Sequence, residues 1–400
     1  MEYAPGRGRL PWGGVPRPCA ARRSLPSRAS APRCSIRPER ISPVQLFSPV
    51  NLGALDLSNR VVMAPLTRVR AGESGVPNDL MVEHYGQRAS TGLIVSEGVF
   101  TSPEARAFDG QPGIITAEQI AGWKRVTDAV HNKGGLIVMQ LMHGGRVSHQ
   151  NITGGPTPVA PSAIAIDGST RSAAGKVAYP VPLAIGTEEI PALIAQLVTA
   201  ATNAIEAGFD GVEVHSANGY LLHEFLAPSS NVRTDNYGGS AENRARLGIE
   251  VTTAIAAAIG ADRTGIRISP SHNIQDVIET DAAETQATYS ALLSGLAPLG
   301  LAYVSVLNAE PTGDFIQGLR AEFGGPWMVN SGFGLITTRD EAIEIVEDGA
   351  ADAVAIGRPI IANPDLVRRW REDRELNEPN PRTFYGPTGE GYTDYPALAS

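Results

Sequence analysis

The sequence predicts an α/β protein, a single (β/α)8 TIM barrel with an elaborated loop after strand three and a disordered N-terminal extension. Three observations predict it. Eight short apolar runs, most of them rich in Val and Ile, recur between residues 61 and 356, and helix-like stretches separate them. The first run leads into Pro65-Leu66-Thr67, not into the Gly-x-Gly-x-x-Gly turn that opens a dinucleotide-binding sheet. Side chains able to do chemistry gather just after the runs, at the strand ends where parallel barrels carry their sites. A six-stranded doubly wound sheet is the competing architecture.

The N-terminus stands apart. Residues 1–40 hold nine Arg, no Lys and two acids, Glu2 and Glu39, among many Pro, Ser and Ala. They show no apolar periodicity, so residues 1–42 read as a disordered basic extension. Their composition resembles that of an organelle transit peptide, with the chloroplast as the expected destination and cleavage around residues 34–42; an unprocessed disordered tail or a start codon placed too early is the alternative. Without such targeting the expectation is a cytoplasmic protein. Beyond residue 40 there remain 24 basic and 40 acidic residues, a net of −16. Such a domain is a poor partner for nucleic acid or an anionic membrane. No run of about 18 apolar residues occurs, so no membrane-spanning helix is expected. Both cysteines, Cys19 and Cys34, lie in the extension, which leaves no disulfide framework, iron–sulfur site or thiolate-bound zinc in the rest. A small molecule is therefore the expected partner of residues 43–400, acting as a monomer or a homodimer.

The expected strands are residues 61–64, 93–96, 136–140, 211–214, 265–268, 303–306, 327–329 and 353–356. Among the helices, Thr116 stands three residues before Gln119, a capping-box spacing. Residues 190–207 carry apolar side chains at helical spacing and stop before Gly208; residues 338–347 are amphipathic and stop near Gly349. The gap from Gln140 to Gly211 is too long for one helical connection. Pro156, Pro158, Pro161, Pro180 and Pro182 make its first part an excursion at the site end, a natural pocket wall or lid. The Tyr- and Pro-rich residues from Pro379 onward are expected to pack back on the barrel.

The strand ends then read in order. Strand one offers Pro65 and Thr67, strand two Glu97 and Gly98, strand three Gln140 with His143 after it. Strand four, Gly211-Val-Glu-Val214, ends at His215, and Asn218 and Tyr220 follow. Arg267 lies between Ile266 and Ile268 on strand five; if those two face the helices, Arg267 faces the barrel interior. A buried cation needs an anionic or electron-rich partner, either an internal salt bridge or a ligand that becomes negative. Asn330-Ser-Gly-Phe-Gly334 after strand seven and Gly357-Arg358 after strand eight form a phosphate cradle, because backbone N–H groups approach an anion closely where no Cβ intervenes.

Several barrel chemistries lack their groups. A Schiff-base aldolase needs a desolvated Lys at a strand end, but Lys124, Lys133 and Lys176 are the only lysines and fall in helices or loops. Strand seven ends in Asn330 and Ser331 where a retaining glycosidase would need a carboxylate. His143 and His215 are too few for a metal-dependent hydrolase, and no metal site is expected. Neutral hydrogen-bond donors, a buried Arg and a phosphate cradle fit a cofactor that does the redox work itself. His84, His131, His149, His223 and His272 read as surface or packing residues. A cofactorless isomerase or lyase acting on a phosphorylated substrate is the alternative enzyme. A noncatalytic flavin- or phosphate-binding module is the alternative of another class.

The stretch from His215 to Arg246 (HSANGYLLHEFLAPSSNVRTDNYGGSAENRAR) resembles the signature of the Old Yellow Enzyme family, flavin-dependent ene-reductases related to 12-oxophytodienoate and N-ethylmaleimide reductases. The likeness extends through RVVMAPLTR (60–68), QLMHGGR (140–146), IRIS (266–269), SGFG (331–334), IGRPI (356–360) and RTFY (382–385), and so over about residues 43–396. It implies a barrel that holds FMN noncovalently and is reduced by NADH or NADPH. Pro65 and Thr67 would lie at the flavin ring, with Gly98 and Gln140 on its pyrimidine side and Arg267 where charge gathers on reduction. Ser331, Gly332, Phe333, Gly357 and Arg358 would hold the phosphate, and Phe384 and Tyr385 would close over the ring. His215 and Asn218 would bind a carbonyl or nitro oxygen of an activated alkene (an enone, enal, nitroalkene or maleimide). The β-carbon would then accept hydride from flavin N5, while Tyr220 protonates the α-carbon. Met142, where some members carry Trp, and Asn218, where many carry His, would reshape the substrate pocket.

Overall fold

The computed structural model describes residues 44–399. The basic extension, with its expected disorder and cleavage region, lies outside the described residues. Eight strands, β1 (Val61–Met63), β2 (Leu93–Val95), β3 (Ile137–Met142), β4 (Gly211–Ser216), β5 (Thr264–Ile268), β6 (Tyr303–Leu307), β7 (Trp327–Asn330) and β8 (Ala353–Ile356), follow the order of the apolar runs. Each pairs in parallel with its successor, and β8 pairs with β1 to close the cylinder. Two strands run further than the apolar pattern suggests. The β3 ladder continues to Met142, and β4 carries His215 and Ser216 opposite Arg267 and Ile268 of β5. Polar side chains do not end a strand whose backbone partners continue.

Side-chain parity sorts the interior from the exterior. Val212, Val214, Ile266, Ile268, Val304, Val306, Val329 and Val354 join the layer between strands and helices. Val62, Leu93, Val95, Val138, Tyr303, Met328, Ala353 and Ala355 point inward and meet Leu52, Leu55 and Leu57 of an antiparallel hairpin that plugs the N-terminal end. The outer helices are α1 (Asp79–Gln87), α2 (Ala117–His131), α3 (Ile190–Glu206), α4 (Ala241–Ile259), α5 (Ala282–Leu296), α6 (Asp314–Phe323), α7 (Arg339–Glu347) and α8 (Leu366–Arg371). The expected capping box closes α2: Gln119 N donates to Thr116 Oγ1 at 3.3 Å and Thr116 N to Gln119 Oε1 at 3.2 Å. Thr338 and Glu341 do the same for α7.

Two segments shape the C-terminal mouth. The excursion after β3 folds into a hairpin, Ser169–Ser172 against Gly175–Ala178, that stands over it. The C-terminal segment packs back as expected. Arg68 donates to the carbonyls of Phe384 (2.9 Å) and Gly391 (2.8 Å), and Arg70 reaches those of Thr383 and Phe384. Tyr392 stacks on His84 with ring centroids 3.8 Å apart.

Candidate active site

A cavity of about 840 Å³ opens at the C-terminal end of the strands, within the range that takes a cofactor or drug-sized ligand. All the expected site residues line it except Gly98 and Ser331. Gly98 lies behind the wall: a Cβ there would stand 2.5 Å from Met142 Sδ and 3.4 Å from Gln140 Oε1, so glycine is what lets those two side chains cross it. Ser331 is buried, its hydroxyl donating to Glu341 Oε1 at 2.6 Å and meeting Thr337 Oγ1 at 3.0 Å, and it braces the loop rather than facing the cavity.

The floor is polar and buried. Arg267 is buried and points inward, as the parity of Ile266 and Ile268 requires. Its Nη1 donates to Ser305 Oγ at 3.2 Å, while its Nε has no partner among the described residues. The internal salt bridge considered from the sequence is only half present. Glu213 lies near enough to attract the guanidinium, yet the pair is not among the ion contacts of the described residues. A buried N–H left open beside a cavity is a demand for an acceptor.

His215, Asn218 and Tyr220 come together above that floor. His215 and Tyr220 have ring centroids 5.1 Å apart, and Phe108 meets Tyr220 edge-on at 6.4 Å. Burial, with Arg267 and His223 adding to it, holds the His215 imidazole well below its ordinary value, so the ring is neutral and donates through a single N–H. Burial, with Tyr179 and Tyr385 nearby, pushes the Tyr220 phenol above its ordinary value, so it keeps its proton. Asn218 sits in the left-handed region at φ 59°, its backbone N–H tied to Ser269 Oγ at 2.8 Å. That bond leaves the side-chain amide free to face the cavity.

The turn is held from beneath by His223, which the sequence assigned only to packing, and through it by Glu279. Gly219 N donates to His223 Nδ1 at 2.9 Å, and His223 Nε2 lies 3.4 Å from Glu279 Oε1. Glu279 also accepts from Ser271 N at 2.8 Å and from the Tyr289 hydroxyl at 3.1 Å. At the other end of the cavity, Arg358 bonds the carbonyl of Phe333 and so joins the loops after β7 and β8. Gly332, at φ 97°, and Gly357 leave their backbones open there, with no neighbour closer than 3.5 Å to a Cβ at either. Phe333 and Tyr385 are exposed at the rim.

Sequence reasoning expected the excursion to wall the site, and its residues 169–172 and Tyr179 line the cavity, but it missed Phe108, which nothing in its spacing marks. It also passed over Glu213, for which a signal existed, since a residue two before an inward His215 must face inward too.

A closed barrel with a cavity at its mouth, a buried arginine on its floor and open glycine backbone at one end is an enzyme architecture with room for a nucleotide-sized cofactor. The sequence matches the profile of the NADH:flavin oxidoreductase / NADH oxidase family over residues 45–377. It is 44% identical to a probable flavin mononucleotide-dependent alkene reductase of Leishmania infantum, covering 88% of this chain and 97% of that protein. It is 40% identical to 12-oxophytodienoate reductase 7 of Oryza sativa subsp. japonica, over 90% and 96%. The structure of the Old Yellow Enzyme homologue from Zymomonas mobilis superimposes with a TM-score of 0.84 at 40% identity, covering 88% of this chain and all of that one. Morphinone reductase in complex with tetrahydroNAD gives 0.83 at 44% identity, over 88% and 98%. The chain belongs to the NADH:flavin oxidoreductase family and has the Old Yellow Enzyme barrel.

Proposed function

We propose that this protein is an FMN-dependent ene-reductase, which takes electrons from NADH or NADPH and reduces activated alkenes. The observation that carries the reading is the convergence of His215, Asn218 and Tyr220, buried and uncharged, on one cavity above Arg267.

The residues present fit FMN. Arg267 offers an unpaired buried N–H, and the loops of Gly332, Phe333, Gly357 and Arg358 leave backbone exposed for a phosphate. Pro65, Thr67, Gln140 and Arg267 would surround the ring, with Gly98 behind Gln140, Ser331 bracing the phosphate loop, and Phe384 and Tyr385 at the rim. Bound there, the flavin supplies the hydride that it has received from the nicotinamide.

The protein's own groups do the rest. The neutral His215 N–H and the Asn218 amide donate to a carbonyl or nitro oxygen, which draws electron density from the conjugated C=C and orients the β-carbon. Tyr220 delivers its proton to the α-carbon. A phenol held above its ordinary pKa is a weak acid toward water, but it suits an acceptor that becomes strongly basic as the enolate forms. Met142, Phe108 and Tyr179 exclude water and set the shape of the alkene that fits. Asn218 and Met142 thus tune preference among enones, enals, nitroalkenes and maleimides.

The test is direct. Purified protein is expected to be yellow, to bleach with NADH or NADPH without air, and to regain its colour stoichiometrically on addition of a cyclic enone. Colourless protein that takes up no FMN, or reduced protein that no activated alkene reoxidises, would overturn the reading.

A further inference from the structure

We propose that Glu213 is a positioning residue for the cofactor pocket, which fixes the side-chain amide of Gln140 and supplies the countercharge to Arg267. The inference rests on the flavin reading above and goes beyond it, because Glu213 does not line the cavity and touches no ligand.

The geometry begins with parity. Glu213 is the inward residue of β4 below His215; its register partners are Gln140 on β3 and Gly265 on β5. It is wholly buried. Gln140 Nε2 donates to Glu213 Oε1 at 2.8 Å, so one amide proton of Gln140 is committed away from the cavity and the amide cannot flip without losing that bond. Gln140 Oε1 is thereby turned toward Gly98, where it stands as a fixed acceptor. The backbone of Gln140 is pinned as well, its N–H donating to Ser96 Oγ at 3.0 Å. A ring edge placed against this side chain meets an oriented amide and no free rotor.

The other carboxylate oxygen, Oε2, has no hydrogen-bond partner among the described residues. The guanidinium of Arg267 and the hydroxyl of Tyr303 both act on this carboxyl. Gly265 makes room for that tyrosine: a Cβ at 265 would lie 2.6 Å from the Tyr303 ring. Burial raises the Glu213 carboxyl, while Arg267, Gln140 and Tyr303 oppose the rise. In the ionised form that Arg267 favours, Glu213 would offset part of the positive field that Arg267 presents to whatever binds above it. A buried carboxylate is costly unless it is paired and hydrogen-bonded, and Gln140 and Arg267 are the groups that meet it here.

Two substitutions in the full-length holoenzyme separate the two roles. In Glu213→Gln the side-chain oxygen still accepts from Gln140, but the charge is gone. Oxidised FMN should bind within about threefold of wild type, while the reduced, anionic form should be held about tenfold more tightly relative to the oxidised one. For a two-electron couple, that ratio makes the midpoint potential about 30 mV more positive. In Glu213→Leu both functions are lost, and a fluorescence titration of the apoprotein should show FMN affinity weakened by about tenfold or more. An unmoved potential in Glu213→Gln would refute the countercharge; wild-type FMN affinity in a folded Glu213→Leu would refute the positioning of Gln140. If the leucine variant does not fold, the potential of the glutamine variant decides. Wild-type apoprotein that takes up no FMN would instead bring down the cofactor assignment itself, a distinguishable result.

Discussion

The two ends of the barrel turn their chains in different ways. At the N-terminal end, the connections from α2 through α7 into the next strand each use a glycine at positive φ: Gly134, Gly208, Gly260, Gly300, Gly324 and Gly349. Glycine enters that conformation at little cost. At the C-terminal mouth, Val69, Asn218, Ser271, Gln275 and Asp276 take positive φ with side chains attached. Each such residue costs roughly 1–3 kcal/mol, and a β-branched valine is the severest case. Buried polar groups hold several of them. Glu97 Oε2 accepts from Arg68 N and Val69 N, both at 3.1 Å, Ser269 holds Asn218 N, and Glu279 holds Ser271 N. Carboxylates hold backbone amides at the plugged end too, Asp210 that of Ile137 and Asp352 that of Trp327, but the six helix-to-strand turns there place glycine at positive φ. The sealed end stabilises the barrel, and the strained end aims its side chains.

The largest effect should come from the mouth. Tyr220→Phe removes one oxygen and little volume, so the fold should stand. Reoxidation of the reduced protein by an enone should slow by about 10²- to 10⁴-fold, the usual worth of a positioned general acid. Reduction by NADH or NADPH should stay within about twofold, because no proton from Tyr220 enters that half-reaction. Stopped-flow traces of the two half-reactions check both statements. Equal loss in both would show that the tyrosine only shapes the cavity.

A second effect at the mouth depends on pH. His143 is buried after β3, its Nδ1 accepting from Gly145 N at 3.1 Å, and its carbonyl accepts from Leu221 N just beyond Tyr220. Burial pushes the imidazole down from 6.5 to about 4. As the pH falls, the unfolded chain therefore takes up this proton before the native one does. The stability it contributes is intact above pH 6.5 and is lost as the pH falls through 4, up to about 3 kcal/mol. His143→Asn can keep an acceptor near Gly145 N without titrating. It should flatten the fall in the thermal midpoint between pH 6.5 and 4 relative to wild type; parallel curves would exclude His143 as the source.

The same contrast explains what could be read from the sequence. The barrel was legible because β-branched runs, capping residues and terminal glycines are local signals, and Thr116 with Gln119 or Ile190 to Gly208 need no tertiary context. Arg267 was legible because two flanking isoleucines fix its direction. The lengths of β3 and β4 were not, because hydrogen-bonded register carries a strand through Gln140 and His215 whatever their polarity. Glu97 and His223 were seen and left without a task, and Glu279 was not singled out, since a carboxylate that holds a backbone amide reveals itself only when the amide is in view. Phe108 and Tyr179 come from loops whose path over the mouth depends on the whole fold.

The smallest effect should come from the sealed end, and it isolates the conformational term. Gly300, between α5 and β6, has φ 68°, and a Cβ there meets nothing within 4 Å. Gly300→Ala therefore adds no clash; its cost is the left-handed backbone alone, about 1–2 kcal/mol, reduced by the lower entropy of the unfolded chain. A net loss of about 1 kcal/mol should lower the thermal midpoint by about 2 °C in a domain of this size. Gly300→Asn should cost less than alanine, because asparagine tolerates this region. In both variants FMN affinity and turnover should equal those of wild type, since the hairpin and the apolar interior layer lie between Gly300 and the cavity. A variant that keeps its midpoint but loses FMN affinity would show that the sealed end also shapes the site, and the division of labour between the two ends would fail.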